Sequence, residues 1–240
     1  MYDRTIDGKE ASFGVSGTLW RDALVFFDRD TGSHWSQVNG TSIHGNHEGE
    51  RLEEVPSFVT TWGEWKRLHP DTLVLRPSEE SRDGTPYAGY VQDPNRLGIL
   101  GTANPDRRLP GKTMVLGILG SDGDAAAVPL ESLEQDSFIQ GRVGPTPFLA
   151  VSVARNGAAA FDRRLEGNVH DFRRRVDGLL VDVGTISLWD PEQGRAIKGP
   201  LEGKSLRRLD SLSVFWFVWA GFHPDTAVLP VPGPKTASSE

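Results

Sequence analysis

The chain has 240 residues, a net charge of −7 and no cysteine. Such a length suits one large domain or two small ones, and the 37% hydrophobic and 25% charged residues are ordinary globular values. The absence of cysteine excludes disulfides, thiolate metal sites and cysteine nucleophiles. The acidic balance argues against a nucleic-acid surface, which needs clustered Lys and Arg.

No transmembrane segment or signal peptide is visible. The most apolar run, Leu212–Phe222, falls far short of the roughly 20 residues that a membrane-spanning helix needs. The polar start at Met1–Arg4 lacks the character of a signal peptide. The sequence therefore predicts a soluble protein, which is cytoplasmic if this chain is complete and extracytoplasmic if an upstream export signal is missing.

The first predicted elements are short strands. Leu24–Asp28 is apolar and bounded by turn residues, which indicates a strand. Asp28–Gly32 has turn composition and Ser33–Val38 alternates, so a hairpin is expected. A helix follows Pro56, with Ser57 or Thr60 as its N-cap. Its two tryptophans lie one turn apart on one face, which favours a core position over a ligand platform: Trp62 and Trp65.

His69-Pro70 would end this helix, because the residue before Pro is pushed out of the helical region. Leu73–Leu75 is predicted to be a closing strand, and residues 76–112, rich in Pro, Gly, Asp and Arg, to be a linker with little core. Residues 231–240 have the composition of a flexible tail. Further strand-like segments are Met114–Leu119, Ala125–Leu130, Pro147–Val153 and Gly178–Asp182.

An internal repeat dominates the sequence. A shift of 154 residues aligns Asp28–Leu75 with Asp182–Leu229 without a gap, and a shift of 159 aligns Tyr2–Phe13 with Phe161–Phe172. The first shift superposes three pairs of tryptophans and two His-Pro-Asp-Thr runs. The sequence thus predicts a strand-rich α+β fold made of two tandem copies of one β-rich unit, each with a short Trp-containing helix near its end.

The repeat defines the expected domains. The first copy spans residues 1–75, the linker 76–112 and the second copy 113–230. The first copy has no counterpart of the apolar segments at 113–160, so we expect it to be N-terminally incomplete and the chain to start late. An incomplete copy would leave a sheet edge or an apolar face exposed, which predicts self-association.

Three segments resemble the family catalogued as domain of unknown function 3179. They are FDRDTGSHWSQ (Phe27–Gln37), TTWGEWKRLHPDTLVL (Thr60–Leu75) and DRRLPGK (Asp106–Lys112), and the TGSxWSQ and HPDT motifs are specific. The resemblance covers nearly the whole chain and implies no established biochemical function. Family members usually carry an upstream His-Glu-rich stretch and a Cys-Pro-Leu-Cys-like motif, often behind an export signal. None of these is present here, which puts any inherited activity in doubt.

Histidines and carboxylates between residues 34 and 50 are of the types that bind zinc: His34, His44, His47, Glu48 and Glu50. Their spacing matches no zinc motif, and the second copy has other residues at the three histidine positions: Leu188, Lys198 and Leu201. The sequence favours an exposed loop, with no metal and no cofactor.

No catalytic residue is predicted. His69 and His223 both precede Pro-Asp-Thr, which is the composition of a helix end. Gly14-Val-Ser16-Gly17 departs from a nucleophile elbow, because its second Gly stands one place early. Gly117–Gly123 lacks the Gly-Lys-Ser/Thr ending of a phosphate loop.

Some polar residues occur in the first copy only: Ser16, Arg29, Ser36 and Gln37. We therefore expect any small-molecule site to lie in the first copy, with Ser16 in it, Arg29 and Gln37 as polar contacts and Trp35 as a wall. Loop drift between the copies is the open alternative. Two functions stay open: a non-catalytic binding or structural module, or an enzyme, with metal dependence as one alternative, whose centre needs an upstream His/Cys segment.

Overall fold

The structure is a computed structural model that describes residues 1–75, 88–102, 106–154 and 157–229. These residues form small, mostly antiparallel sheets and short helices, which confirms the strand-rich α+β class. The predicted tail at 231–240 lies outside the described residues. None of the described helices is long and apolar enough to cross a membrane.

Residues 1–75, called here the first unit, form one hairpin, one sheet and one helix. β1 and β2 pair as the hairpin, and β3 to β6 pair in chain order as an antiparallel sheet, which we call the first sheet. The elements are β1 (Thr5–Ile6), β2 (Lys9–Glu10), β3 (Phe13–Trp20), β4 (Ala23–Asp28), β5 (His34–Ser36), β6 (Ser42–His44) and α1 (Trp62–Leu68).

Residues 113–229, the second unit, contain a comparable hairpin and four-stranded sheet, together with further strands. A short helix, α2 (Ala88–Gln92), precedes them inside the predicted linker. The elements are β7 (Met114–Leu119), β8 (Ala125–Pro129), α3 (Leu130–Asp136), β9 (Phe138–Val143), β10 (Thr146–Ala154), β11 (Gly157–Asp162), β12 (Arg164–Leu165), β13 (Asn168–Val169), β14 (Phe172–Arg174), β15 (Leu180–Asp182), β16 (Leu188–Asp190), β17 (Arg195–Lys198), β18 (Ser211–Phe215), α4 (Trp216–Phe222) and β19 (Ala227–Val228).

The second unit is built in layers around β7–β11. β18, β7, β8 and β19 form one sheet, in which β19 is parallel to β8, and β9 to β11 form another. Leu133 of α3 packs between these sheets, and Trp189 of the β14–β17 sheet packs against the other side of β10 and β11. Helix α4 covers the β7–β8 hairpin with Trp216 and Trp219.

The opposite side of α4 meets the first unit. Phe217, Val218 and Phe222 form a buried cluster with Ala23 of the first sheet, against which Trp20 also packs. The guanidinium group of Arg21 lies 4.8 Å from the centre of the Trp20 ring and 5.7 Å from that of Phe222. Helix α4 therefore joins the two units through a shared core.

Several contacts recur at positions 154 residues apart. The amide of Asp28 donates to Ser33 O at 3.1 Å, and that of Asp182 to Ser187 O at 3.0 Å. In the same way, Trp65 Nε1 donates to Thr72 Oγ1 and Trp219 Nε1 to Thr226 Oγ1, both at 3.0 Å. The two helices end alike, since the His after each one donates its amide to the carbonyl of the second Trp.

The structure corrects three expectations about the first unit. The N-cap of α1 is Thr61, not Ser57 or Thr60, because the Thr61 hydroxyl accepts a hydrogen bond from the Glu64 amide at 3.3 Å. No residue of α1 is buried and Trp62 is 50% exposed, so the core position predicted for its tryptophans is wrong.

Residues 73–75 do not form the predicted strand. The equivalent strand of the second unit, β19, is held by β8, whereas none of the described strands pairs with residues 73–75. The end of α1 before His69 was predicted correctly, and so was strand β7 at Met114–Leu119.

Candidate functional site

The first sheet has a buried face and an outer face, because side chains alternate along each strand. Trp35 points to the buried face, where it is 1% exposed and meets Phe13 edge to face at 6.2 Å between ring centres. Phe27, His34 and His44 stand in register across three strands on the outer face. The ring centres of this row are 6.4 Å and 6.2 Å apart.

A cavity of about 540 Å³ lies over the outer face. Trp20 and Val25 give it apolar walls, while His34, His44 and Glu48 give it hydrogen-bonding groups. Its volume falls within the range of small-molecule pockets, roughly 300–1,000 Å³, and a mostly apolar lining with a few polar groups is typical of them.

Two polar atoms of the TGSxWSQ motif are buried without a hydrogen-bond partner among the described residues: His34 Nδ1 and Ser36 Oγ. A buried polar atom left unpaired costs about 1–3 kcal/mol, so it needs a compensating role. The second unit has no such atom at these two positions, although Nε1 of Trp189, the counterpart of Trp35, is buried without a partner among the described residues. Leu188 replaces His34, and Asp190 replaces Ser36 and accepts a turn hydrogen bond from the Glu192 amide at 2.8 Å.

The predicted site residues lie on or near this sheet, but not all on one face. The Ser16 hydroxyl donates to Val25 O at 2.7 Å, and the Arg29 guanidinium group lies 5.5 Å from the centre of the Phe27 ring. Ser16 and Arg29 thus border the outer face. Trp35 lies behind it, and the exposed Gln37 sits beyond the end of β5, where its carbonyl accepts from Tyr2 Oη at 3.1 Å.

Sequence reasoning missed that His34 and His44 lie side by side on the outer face of one sheet. The signal was present in the alternation His34-Trp35-Ser36, which places His34 and Ser36 opposite the buried tryptophan. Pairing of His34 with His44 depends on the register between β5 and β6, which includes an irregularity after His34. That register was not visible in the sequence.

Behind the outer face, Asp28 fixes the turn between β4 and β5. Its carboxylate accepts hydrogen bonds from the Thr31 amide at 2.6 Å, the Thr31 hydroxyl at 2.8 Å and Trp35 Nε1 at 3.1 Å. Burial alone would raise the pKa of Asp28, but these hydrogen bonds outweigh it and hold the pKa below its usual range. The ionised carboxylate is therefore a structural anchor for Trp35 and for the start of β5.

His47, the third histidine of this segment, does not join the other two. Its Nδ1 lies 3.1 Å from Glu50 Oε2, and its ring packs 5.9 Å from Trp35. Among the described residues, no group of three His, Asp or Glu side chains could hold a metal ion.

Comparison with known proteins gives one family match. The family model described as Protein of unknown function (DUF3179) matches residues 1–226. No curated protein and no solved structure matches the chain.

Proposed function

The chain belongs to the DUF3179 family, and from its geometry we propose that it is a non-catalytic binding module whose site is the outer face of the first sheet. The observation that carries this proposal is the His34 side chain, which lines the cavity and whose buried Nδ1 has no hydrogen-bond partner among the described residues. The ligand expected there is a small, largely apolar molecule with one hydrogen-bonding group directed at His34.

Polar and apolar groups would have different roles in such a site. Trp20, Val25 and Phe27 would exclude water, which strengthens a hydrogen bond to the imidazole. Arg29 is held against Phe27 at the border of the face, where it favours a negatively charged substituent. The Ser16 hydroxyl is bonded to a carbonyl and lies 2.7 Å from Thr18 Oγ1, so its role is to shape strand β3 rather than to attack a substrate.

We also propose that the two units arose by tandem duplication and that only the first retains the site. The recurring hydrogen bonds support a common origin. The replacement of His34 and Ser36 by Leu188 and Asp190 in the second unit supports a division of roles. A chimaera in which residues 29–32 replace residues 183–186 should fold, since the side chains of an Asp, a Thr and a Ser hold both turns by hydrogen bonds. If that chimaera does not fold, the two turns are not structurally equivalent.

A fragment screen tests the binding proposal. Fragments that raise the melting temperature of the native chain should bind a His34→Leu variant about tenfold more weakly or worse, since loss of a buried hydrogen bond is worth about 1.5 kcal/mol. Leu is the residue of the second unit at this position, so the variant should fold. His69→Leu, outside the cavity, is the matched control. The proposal would be contradicted if the fragments bound the His34→Leu and His69→Leu variants with the same affinity as the native chain.

A further inference from the structure

Helix α1 and helix α4 have the same local geometry but opposite surroundings. The Trp65 and His69 rings are 4.1 Å apart at 39°, and those of Trp219 and His223 are 4.2 Å apart at 39°. In α4, Trp216 and Trp219 are 0% and 2% exposed, whereas Trp62 in α1 is 50% exposed. Helix α1 therefore holds its tryptophans in the packing conformation without a buried position for them.

The two faces of α4 pack against different parts of the protein, and α1 has matching residues on only one of these faces. Trp216 and Trp219 of α4 pack on the β7–β8 hairpin, and α1 keeps tryptophan at both positions. The α4 positions that pack against the first sheet are less well kept: Gly63, Glu64 and Leu68 stand where Phe217, Val218 and Phe222 do. Thus α1 retains the face that fits a hairpin.

One position departs from this pattern. Lys66 stands where Ala220 packs on the hairpin, and its ammonium group lies 5.5 Å from the centre of the Trp62 ring. A long, flexible side chain can move away from the ring when a partner arrives, and it would favour an acidic residue on that partner.

The β7–β8 hairpin shows which kinds of residue fit against the tryptophans of α4. Gly117 of β7 lies directly beneath Trp219, so that a Cβ there would collide with the indole ring. The chain after α4 adds β19 to the free edge of β8. The corresponding residues after α1 are apolar and exposed, with Leu73 at 96% and Leu75 at 94%, and no described strand pairs with them.

We propose that α1 and residues 73–75 form the docking site for a β-hairpin of a partner polypeptide. That hairpin carries a glycine beneath Trp65 and small or branched apolar residues around it, and residues 73–75 pair along its outer strand as β19 does on β8. Main-chain pairing at a strand edge with an apolar anchor is a common mode of recognition. The β7–β8 hairpin of a second copy is not the partner, because its own α4 covers it.

The test uses the full chain and a head-to-tail cyclised peptide of residues 113–130 as the probe, since an isolated two-stranded hairpin is marginally stable. Labelled peptide should bind the native chain, and Trp62→Ala or Trp65→Ala should weaken binding about tenfold or more, as expected for a buried aromatic anchor. Arg67→Ala, on the polar side of α1, should leave affinity within about twofold. A peptide that carries Gly117→Leu should bind the native chain as weakly as the unmodified peptide binds the two tryptophan variants.

Three outcomes would overturn this inference. The first is no binding at millimolar peptide, and the second is binding that neither tryptophan variant changes, which would place the peptide elsewhere. The third is a dimer of the native chain that Trp62→Ala abolishes, which would make a second copy the partner. Circular dichroism of Trp62→Ala checks its fold, and little change is expected because that side chain is half exposed.

Discussion

At the scale of single residues, the two hairpin turns that begin at Asp28 and Asp182 differ in backbone strain. The turn after Asp28 places Gly32 at a φ of 74°, in the left-handed region that glycine adopts freely. The turn after Asp182 places Ile186 there at a φ of 59°. A β-branched residue in this region is strained, by roughly 1–2 kcal/mol.

Replacement of that isoleucine is therefore expected to stabilise the protein. Ile186 is 68% exposed, so Ile186→Gly removes little buried surface while it relieves the strain. We expect the free energy of unfolding to rise by about 1 kcal/mol, measured by urea denaturation. Gly32→Ile in the other turn should lower it, although no atom lies within 4 Å of the added Cβ. Equal and small effects of both changes would show that the turn backbone relaxes.

The carboxylate of Asp28 offers a second residue-scale prediction. Asp28→Asn removes the charge that accepts hydrogen bonds from Thr31 and Trp35, which should cost about 1.5–3 kcal/mol at pH 7. The exposed Asp30 provides the control, since Asp30→Asn should change stability by less than about 0.5 kcal/mol. Urea denaturation of both variants measures the difference.

The pH dependence of this difference has a definite sign. The pKa of Asp28 is lower in the folded than in the unfolded chain, so ionisation stabilises the fold above the unfolded pKa of about 3.9. This stabilisation is lost as the pH falls from that value through the folded pKa. The gap in stability between the native chain and Asp28→Asn should therefore narrow below about pH 4. A gap that is constant down to pH 2 would contradict the assignment.

At the scale of elements, the sequence predicted what local chemistry determines. The end of α1 follows from His69-Pro70, and strand β7 follows from its apolar run at Met114–Leu119. The exposure of α1, and the failure of residues 73–75 to pair with any described strand, could not be predicted, because burial and pairing both depend on a neighbouring hairpin and not on the segment itself. The same holds for the candidate site, where alternation orients His34 but long-range register brings it to His44.

Equivalent tryptophans in the two helices should consequently have unequal effects on stability. Trp216→Ala empties a fully buried position between α4 and the β7–β8 hairpin and should cost about 3–5 kcal/mol. Trp62→Ala, at the same position of α1, should cost less than about 1 kcal/mol because its ring is half exposed. Chemical denaturation of both variants gives the comparison. A large loss in Trp62→Ala would mean that α1 is buried in solution by some contact of its own.

At the scale of the whole molecule, α4 links the two units. One side of it completes the β7–β8 layer through Trp216 and Trp219, and the other shares a core with the first sheet through Phe217. Polar contacts add to this junction, since Arg51 Nη2 lies 3.3 Å from Asp210 Oδ2. The candidate site on the first sheet therefore draws part of its rigidity from the second unit.

Loss of the shared core should release the first unit before the second. Phe217→Ala removes a side chain that is 3% exposed and packs between the units, while the hairpin side of α4 stays intact. Hydrogen exchange should then show reduced protection for the amides of β3–β6, with those of β9–β11 little changed, because local opening needs only the weakened contacts to break. Phe148→Ala, deep in the core of the second unit, should instead lower protection in β9–β11. If Phe217→Ala lowers protection equally in both units, they unfold as one body, and the first sheet has no separate opening by which a ligand could modulate it.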